Sequence, residues 1–327
     1  MMQNPKLSSS ELGSLWLTYQ KKTMILRILE YFIEKADDET GKNLMSSLHE
    51  ELHAKVVEIK TMLENEGAAI PEGFTEKDVN LQAPKLWDNG FDIMFCRVLK
   101  EISIGLYALH LTLSYRKDVI SFYQDLSKLT ETYFRYFTEY LLDHSLLSRP
   151  TLVNMPASTS FVSDKTYAKG TNILGQKREL SVVEFGPLYR SVETNITGMQ
   201  LMEGFSKTTE DSDVKKHFLA GKALSKKQIS AVSKVLLDND IHPPATHGGT
   251  VTNSTVPPFS DKLMMFCNYL LSGLSMSGNG FGAGFSLRND LQVKNAMFGK
   301  SIFQYQREGI HLMIAKGWLE EPPKMDL

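Results

Sequence analysis

LSSSELGSLW (7–16) recurs late in the chain as LSVVEFGPLY (180–189), and this repetition decides the fold. Leucine, serine, glutamate, glycine and leucine match between the two stretches in one unbroken register. Further pairs follow in the same order: IMFCRVL (93–99) with MMFCNYL (264–270), SYRKD (114–118) with SLRND (286–290), and LLDHSLLSRP (141–150) with MIAKGWLEEP (313–322). Because the series is collinear and spans the chain, the sequence predicts one structural unit that occurs twice.

Each copy has the pattern of a helical bundle. In residues 8–36 and 41–66, core-type side chains recur at steps of three and four, which is typical of helices that bury one face. Residues 88–115 and 118–147 complete a set of four predicted helices. No segment shows the sustained two-residue alternation of a strand, so we expect no sheet.

The lengths of the connections predict the topology. Short connections join the first helix to the second and the third to the fourth, whereas the long segments 67–87 and 241–261 separate the second helix from the third. Short, long, short is the order of a ferritin-like bundle with one crossover. The sequence therefore predicts an all-α fold of two tandem ferritin-like four-helix bundles, packed against each other as a pseudo-dimer.

The domain boundaries follow from composition. Residues 150–179 are polar and rich in serine, threonine, proline and glycine. We predict a first bundle over 1–150, a linker over 151–179 and a second bundle over 180–327.

Four segments resemble signature pieces of the family known as domain of unknown function 3231, which occurs in endospore-forming bacilli: GFTEKDVNLQAP (73–84), TVPPFSDKLMMF (255–266), SLRNDL (286–291) and KGWLEEPP (316–323). The resemblance covers nearly the whole chain. It implies a tandem ferritin-like fold related to spore coat protein F, and it implies no assigned reaction.

Composition limits the classes of function. A net charge of -2 and a pI near 6.5 give no basic surface for nucleic acid or an anionic membrane. No apolar run reaches the roughly 18–20 residues of a membrane span, and the N-terminus lacks the pattern of a secretory signal. Only two cysteines occur in the chain, which favours a reducing compartment. We expect a cytoplasmic protein with no membrane span and no nucleic-acid partner.

LHEELH (48–53) carries Glu50 and His53 in the Glu-x-x-His spacing that di-iron carboxylate bundles use. At about 100° per residue, Glu50 falls roughly 160° and His53 roughly 100° from the centre of the apolar stripe. The second copy has Ala223 and Lys226 at these positions. We therefore expect a solvated helix face here rather than half of a metal site.

Glu30 lies on the apolar stripe of the first helix, and a glutamate recurs at the equivalent position of the second copy as Glu203. The first helix is where a ferritin-like site takes its first glutamate. His49 is the more inward-facing histidine of the second helix, and Glu101 is an acidic residue of the third. Since neither copy completes a ligand set, we predict no cofactor and expect Glu30 and Glu203 to pair with a tyrosine or arginine. Iron or manganese bound by these glutamates, His49 and Glu101 is the alternative.

GNGFGAG (278–284) resembles a phosphate-binding loop but falls inside a predicted helix, where such a loop cannot form. Glycine in a helix costs about 1 kcal/mol relative to alanine. We expect close helix packing to compensate, with a small-molecule groove as the alternative.

Two classes of function remain, with a third beside them. The preferred class is a non-enzymatic structural or interaction protein, with protein partners that include a second copy of itself and with spore association as the resemblance implies. The second is a di-iron type oxidoreductase. The third is a small-molecule-binding bundle that uses the glycine-rich helix.

Overall fold

The computed structural model describes residues 5–168, 177–245 and 249–325. Within these ranges the chain forms eight long α-helices and two strands of two residues each. The helices are α1 (Ser9–Glu34), α2 (Glu39–Asn65), α3 (Phe91–Thr112), α4 (Lys117–Asp143), α5 (Val182–Thr208), α6 (Ser212–Leu237), α7 (Asp261–Phe285) and α8 (Asn289–Ala315). The strands are β1 (Trp87–Asp88) and β2 (Thr250–Val251). The prediction of an all-α fold built from two tandem four-helix bundles is confirmed, since α1–α4 form one bundle and α5–α8 the other.

The repeated stretch that opens each bundle is a helix cap. Ser8 caps α1 in a capping box with Glu11, and Ser181 caps α5 in the same way with Glu184. Glu11 also accepts hydrogen bonds from the backbone N–H groups of Tyr115 (2.8 Å) and Arg116 (2.6 Å) at the corner between α3 and α4. The first-turn glutamate of this copy therefore ties the start of one helix to the corner between two others.

Glu184 makes the equivalent bonds to the corner between α7 and α8, because the N–H groups of Leu287 and Arg288 donate to it at 3.0 Å. Burial alone would raise the pKa of Glu11 and of Glu184. The hydrogen bonds that each carboxylate accepts outweigh burial and lower both pKa values to about 2. Both glutamates are therefore ionised at neutral pH and have a structural role.

The two long crossovers pair with each other. Trp87 on β1 faces Val251 on β2, and Val79 forms a bridge with Phe259. In the register that aligns the two copies, Phe259 is the equivalent of Trp87 and Val251 is the equivalent of Val79. Each contact therefore joins the tryptophan-type position of one copy to the valine position of the other. Such exchange defines an isologous contact about a twofold axis, and the expected pseudo-dimer is present within one chain.

The expectation of no sheet was wrong at these two points. The paired residues belong to loops that lie far apart in the sequence, and neither loop carries a local strand pattern. Their pairing depends on the packing of one bundle against the other, which the hydrophobic pattern of a single segment cannot report.

One hydrophobic core runs through both bundles. The Trp87 ring stacks on Phe91 of α3 (4.9 Å between centroids) and meets Phe205 of α5 edge to face (5.8 Å). Gly204 makes room for this ring, since a Cβ atom at that position would lie 2.5 Å from the indole. Phe205 in turn packs against Phe259. The two halves of the chain therefore bury apolar surface against each other in one shared core, and each half also keeps a smaller hydrophobic cluster of its own.

Residues 151–166 of the predicted linker are exposed, and 169–176 lie outside the described residues. The boundaries 1–150, 151–179 and 180–327 stay a prediction.

We expect the two halves to remain associated after the linker is cut. A protease site introduced between Ser158 and Thr159 should give two fragments that co-elute in size-exclusion chromatography at the volume of the uncut chain, because separation would expose the shared core. Gly204→Leu should weaken this association by displacing Trp87, whereas Gly186→Leu, on an open part of α5, should not. Fragments that separate in native buffer without any substitution would contradict a shared core.

Candidate functional site

The Glu-x-x-His segment on α2 faces solvent. Glu50 and His53 are exposed, whereas Leu48 and Leu52 of the same stretch are fully buried. The structure therefore has Glu50 and His53 in the orientation that the helical period predicts. Glu50 and His53 have no route to the bundle interior.

Glu30 and His49 lie together across two helices. The Nε2 atom of His49 on α2 is 3.2 Å from Oε1 of Glu30 on α1, and the Arg27 guanidinium is 2.5 Å from the same carboxylate. All three side chains are partly exposed at the rim of the bundle. The carboxylate of Glu30 is thus paired with basic groups of its own bundle.

The second copy has the same arrangement with a different base. Glu203 on α5 lies 3.1 Å from the ammonium of Lys222 on α6 and 3.8 Å from that of Lys207. Lys222 aligns with His49 when the two copies are superposed in sequence, so a lysine replaces the histidine at the equivalent position. A lysine ammonium has no lone pair to offer a metal ion. Both copies pair this carboxylate with a base, but only the histidine of the first copy is a residue type that can ligate a metal ion.

Glu101 takes part in a contact between the bundles. It accepts a hydrogen bond from Nε of Arg190 on α5 (2.8 Å), and Arg190 also donates to Glu193 (2.9 Å). The structure therefore joins Glu30 with His49 but uses Glu101 and Glu203 in separate ion pairs. In the described part of the chain, no three His, Cys, Asp or Glu side chains are grouped closely enough to hold a metal ion.

Three lysines fill the centre of the first bundle. Lys21 and Lys22 on α1 and Lys100 on α3 are fully buried, and none of their Nζ atoms has a hydrogen-bond partner among the described residues. The Nζ atoms of Lys21 and Lys22 lie 4.7 and 4.8 Å from the centre of the Tyr107 ring, a geometry in which an amine that carries a proton makes a cation–π contact. Burial lowers the pKa of Lys100 to about 8. Burial, and then the charge of Lys100, lower the pKa of Lys21 and of Lys22 well below the usual range.

These lysines are missed by a search for apolar stripes, because such a search treats charged residues as solvated. One signal in the sequence could have revealed these buried lysines. Thr194 and Asn195 occupy the equivalent positions of the second copy. A pair of polar residues on a helix that is buried on most sides, present in both copies, indicates a polar bundle centre.

The centre of the second bundle is polar but uncharged. His217, Asn268 and Tyr305 form a hydrogen-bonded group, in which the Asn268 amide lies 3.1 Å from Nε2 of His217 and 2.9 Å from the Tyr305 hydroxyl. The His217 ring stacks on that of Tyr305 at 4.2 Å. Burial lowers the pKa of His217 to about 4, so its imidazole is neutral at pH 7.

The expectation that the GNGFGAG glycines serve close helix packing was largely wrong. Cβ atoms added at Gly278, Gly280 and Gly284 would meet nothing within 4 Å, and only at Gly282 would one approach a neighbour, at 3.0 Å from Nδ2 of Asn295. The segment is helical, as expected. Gly278, Gly280 and Gly284 are exposed, so their bare backbone faces solvent.

The comparisons identify a family but no activity. A family model described as “Protein of unknown function (DUF3231)” matches residues 1–158 and 168–326 as two tandem regions. Among solved structures, the chain is similar to a candidate spore coat protein of Bacillus halodurans, with 15% identity, 46% of this chain and 98% of that chain covered, and a TM-score of 0.41. The search of curated proteins found no match. None of the helices in the described ranges has the length and hydropathy needed to cross a bilayer.

We expect Lys100→Met to stabilise the protein by about 1–4 kcal/mol at pH 7, because it removes a buried amine that lacks a partner while keeping its volume. The folded pKa of Lys100 lies below its unfolded value, so the unfolded chain binds more protons between pH 8 and 10.5. The stability of the natural protein should therefore rise over this interval, and the advantage of the variant should shrink.

Urea denaturation at several pH values measures both effects. Lys60→Met, at an exposed position of α2, is the matched control and should change little. A Lys100→Met variant that is less stable at every pH would mean that the amine has a partner and contributes to folding.

Proposed function

The chain belongs to the DUF3231 family, and we propose that this member is a non-enzymatic structural or interaction protein that holds no metal. The observation that carries the proposal is the set of ion pairs made by the glutamate that occurs in both copies. Glu30 pairs with Arg27 and His49, while Glu203 pairs with Lys207 and Lys222. A carboxylate already neutralised by cations attracts a divalent ion weakly, and one or two carboxylates alone hold iron or manganese poorly.

The interior of the first bundle supports the same conclusion. A di-iron site needs carboxylates projecting inward from several helices. Lys21, Lys22 and Lys100 project there instead, and any of them that carries a proton repels a cation. The oxidoreductase alternative would therefore require the metal ligands to fit among these three lysine side chains.

An interaction role is supported by apolar side chains on the surface of the second bundle. Val293 and Met297, one turn apart on α8, are 54% and 65% exposed. Phe281 and Phe285 are also exposed and stack on each other on α7. Clustered exposed apolar side chains are common where proteins associate. We propose that the surface of α8 around Val293 and Met297 binds protein partners, with self-association included. We also propose that the protein is cytoplasmic with a part bound to the spore.

Metal content separates the structural class from the oxidoreductase class. The purified chain is incubated with Fe(II) or Mn(II) and desalted, and its metal content is measured by elemental mass spectrometry. We expect less than one metal ion per molecule. The double variant Glu30→Ala/Glu203→Ala should have the same metal content as the natural chain. It should lose no more than about 1 kcal/mol of stability for each partly exposed ion pair that is removed. Stoichiometric metal that is lost in this variant but kept in Glu50→Ala would refute the proposal.

Spore association can be tested together with the exposed surface of α8. In sporulating cells that produce the chain, we expect immunoblots to detect it in washed spores. The variant Val293→Ser/Met297→Ser should stay in the soluble fraction, because it removes the apolar contact. Val57→Ser, at an exposed position of the first bundle, is the control and should behave like the natural chain. A natural chain absent from spores would rule out the location, and a spore-bound double variant would rule out this surface.

A further inference from the structure

The second bundle contains a cavity at its centre. An inner cavity of about 70 Å³ lies between the four helices, bounded by Gly221 and Gln228 on α6 and by Asn268 and Tyr305 from α7 and α8. An adjoining outer cavity of about 210 Å³ lies between α5 and α7 and shares the side chains of Thr194, Asn195 and Ser275 with the inner one. Their shared lining makes the pair one candidate binding site that leads from the surface to the bundle centre.

Comparison of the two copies explains the inner cavity. Leu48 and Leu52 on α2 are fully buried and fill the centre of the first bundle. Gly221 and Ser225 stand at the equivalent positions of the second copy. Two leucine side chains are thus replaced by a hydrogen atom and a hydroxymethyl group. The Tyr305 ring fills the space at Gly221, where an added Cβ atom would clash with it, so the cavity opens on the side of Ser225.

The outer cavity arises in the same way. In the first bundle three large side chains occupy the region: Tyr107, His110 and Tyr123. Their equivalents in the second copy are smaller: Asn279, Gly282 and Asn295. The open space beside the glycine-rich part of α7 is therefore a consequence of divergence at specific positions.

The cavity offers hydrogen-bond acceptors. Gln228 is 2% exposed, and its Oε1 atom has no hydrogen-bond partner among the described residues. Asn195 and Asn279 donate their amide N–H groups to helix carbonyls, those of Ser191 and Ser275, at 2.8 Å. Their side-chain oxygens are the groups left for a ligand. Because a buried acceptor without a donor is costly, a ligand that supplies O–H or N–H donors would be favoured.

The cavity selects against charge. Every side chain that lines the inner part is uncharged. In the outer part Arg190 and Glu101 neutralise each other through their hydrogen bond. An ion that entered would lose its hydration without gaining an opposite charge.

The outer cavity reaches the surface beside an aromatic ring. Phe281 on α7 lines it and is 68% exposed, and Pro187 on α5 lines the same part. These groups offer apolar contact for the C–H face of a ring, while the interior offers acceptors for hydroxyl groups. Cavities of this size admit a small molecule and exclude a large cofactor.

We propose that the second bundle binds a small neutral polyhydroxylated molecule, of the size of a cyclitol or a monosaccharide, whose hydroxyl groups donate to Gln228 and to the neighbouring asparagine side chains. The first bundle, filled by its lysines and leucines, does not bind it. This gives the small-molecule class a defined place in the fold and a ligand chemistry. The site contains no metal ligand set among the described residues, so its test is independent of the metal measurement.

Binding can be measured on the full chain by isothermal titration calorimetry, with myo-inositol and glucose as neutral probes and gluconate and glucosamine as charged probes of similar size. Three variants define the site. Gln228→Leu removes the unpaired acceptor at similar volume. Ser225→Leu restores the leucine of the first bundle and fills the cavity, and Ser230→Leu, at an exposed position of the same helix, is the matched control.

We expect saturable binding of at least one neutral probe, at least tenfold weaker binding to Gln228→Leu and Ser225→Leu, and unchanged binding to Ser230→Leu. Circular dichroism checks that each variant is folded. If Ser225→Leu does not fold, the affinity of Gln228→Leu alone tests whether the cavity is the binding site. The absence of saturable binding by both neutral probes, equal affinity for Gln228→Leu, or tighter binding of a charged probe would each overturn the proposal.

Discussion

The exchange of equivalent contacts between the two crossovers is the constraint on which the rest of the structure depends. A four-helix bundle with one long crossover carries a coil along its side, and that coil must bury its apolar residues somewhere. In this chain the two crossovers place Trp87 and Phe259, at equivalent positions, against the other bundle, where both side chains are buried. Each crossover thereby completes the core of its neighbour. The same contact forces the bundles into a twofold relation, because equivalent residues can satisfy each other only about such an axis.

A shared core of this kind changes what each bundle must do for stability. In a homodimer every substitution occurs in both subunits, whereas a duplicated chain can change one copy alone. The helix caps and corners have been kept in both copies, with Glu11 and Glu184 making equivalent hydrogen bonds. The bundle centres have diverged, towards buried amines around Lys100 in the first and towards amides and hydroxyls around Gln228 in the second. Divergence is marked in the bundle centres, and it also reaches the contact between the halves, where Gly204 stands at the equivalent of Tyr31.

The sequence determines the architecture well because the relevant signals are periodic and local. Helical stripes, short and long connections and the repeated capping segment each depend on neighbouring residues, and they identify the long helices and their order. The orientation of Glu50 also follows from the helical period alone. The pairing of Glu30 with His49 does not, since it depends on the relative rotation of two helices. The burial of Lys21 and Lys22 was missed for a related reason, because a charged residue is assigned to solvent unless its surroundings are known.

The two bundle centres also differ in what their polar groups cost. Buried amines such as those of Lys21 and Lys100 disfavour folding while they are charged and unpaired, and the lowering of their pKa values by burial relieves part of that cost by releasing protons. An uncharged centre has no such relief, because an amide oxygen like that of Gln228 cannot change its protonation state. Its cost can be removed only by a donor, from the protein, from water or from a ligand. A bundle whose neighbour supplies part of its stability can keep such a group unpaired, and the duplicated fold therefore allows a binding cavity in one half that a single bundle of this size would be less able to sustain.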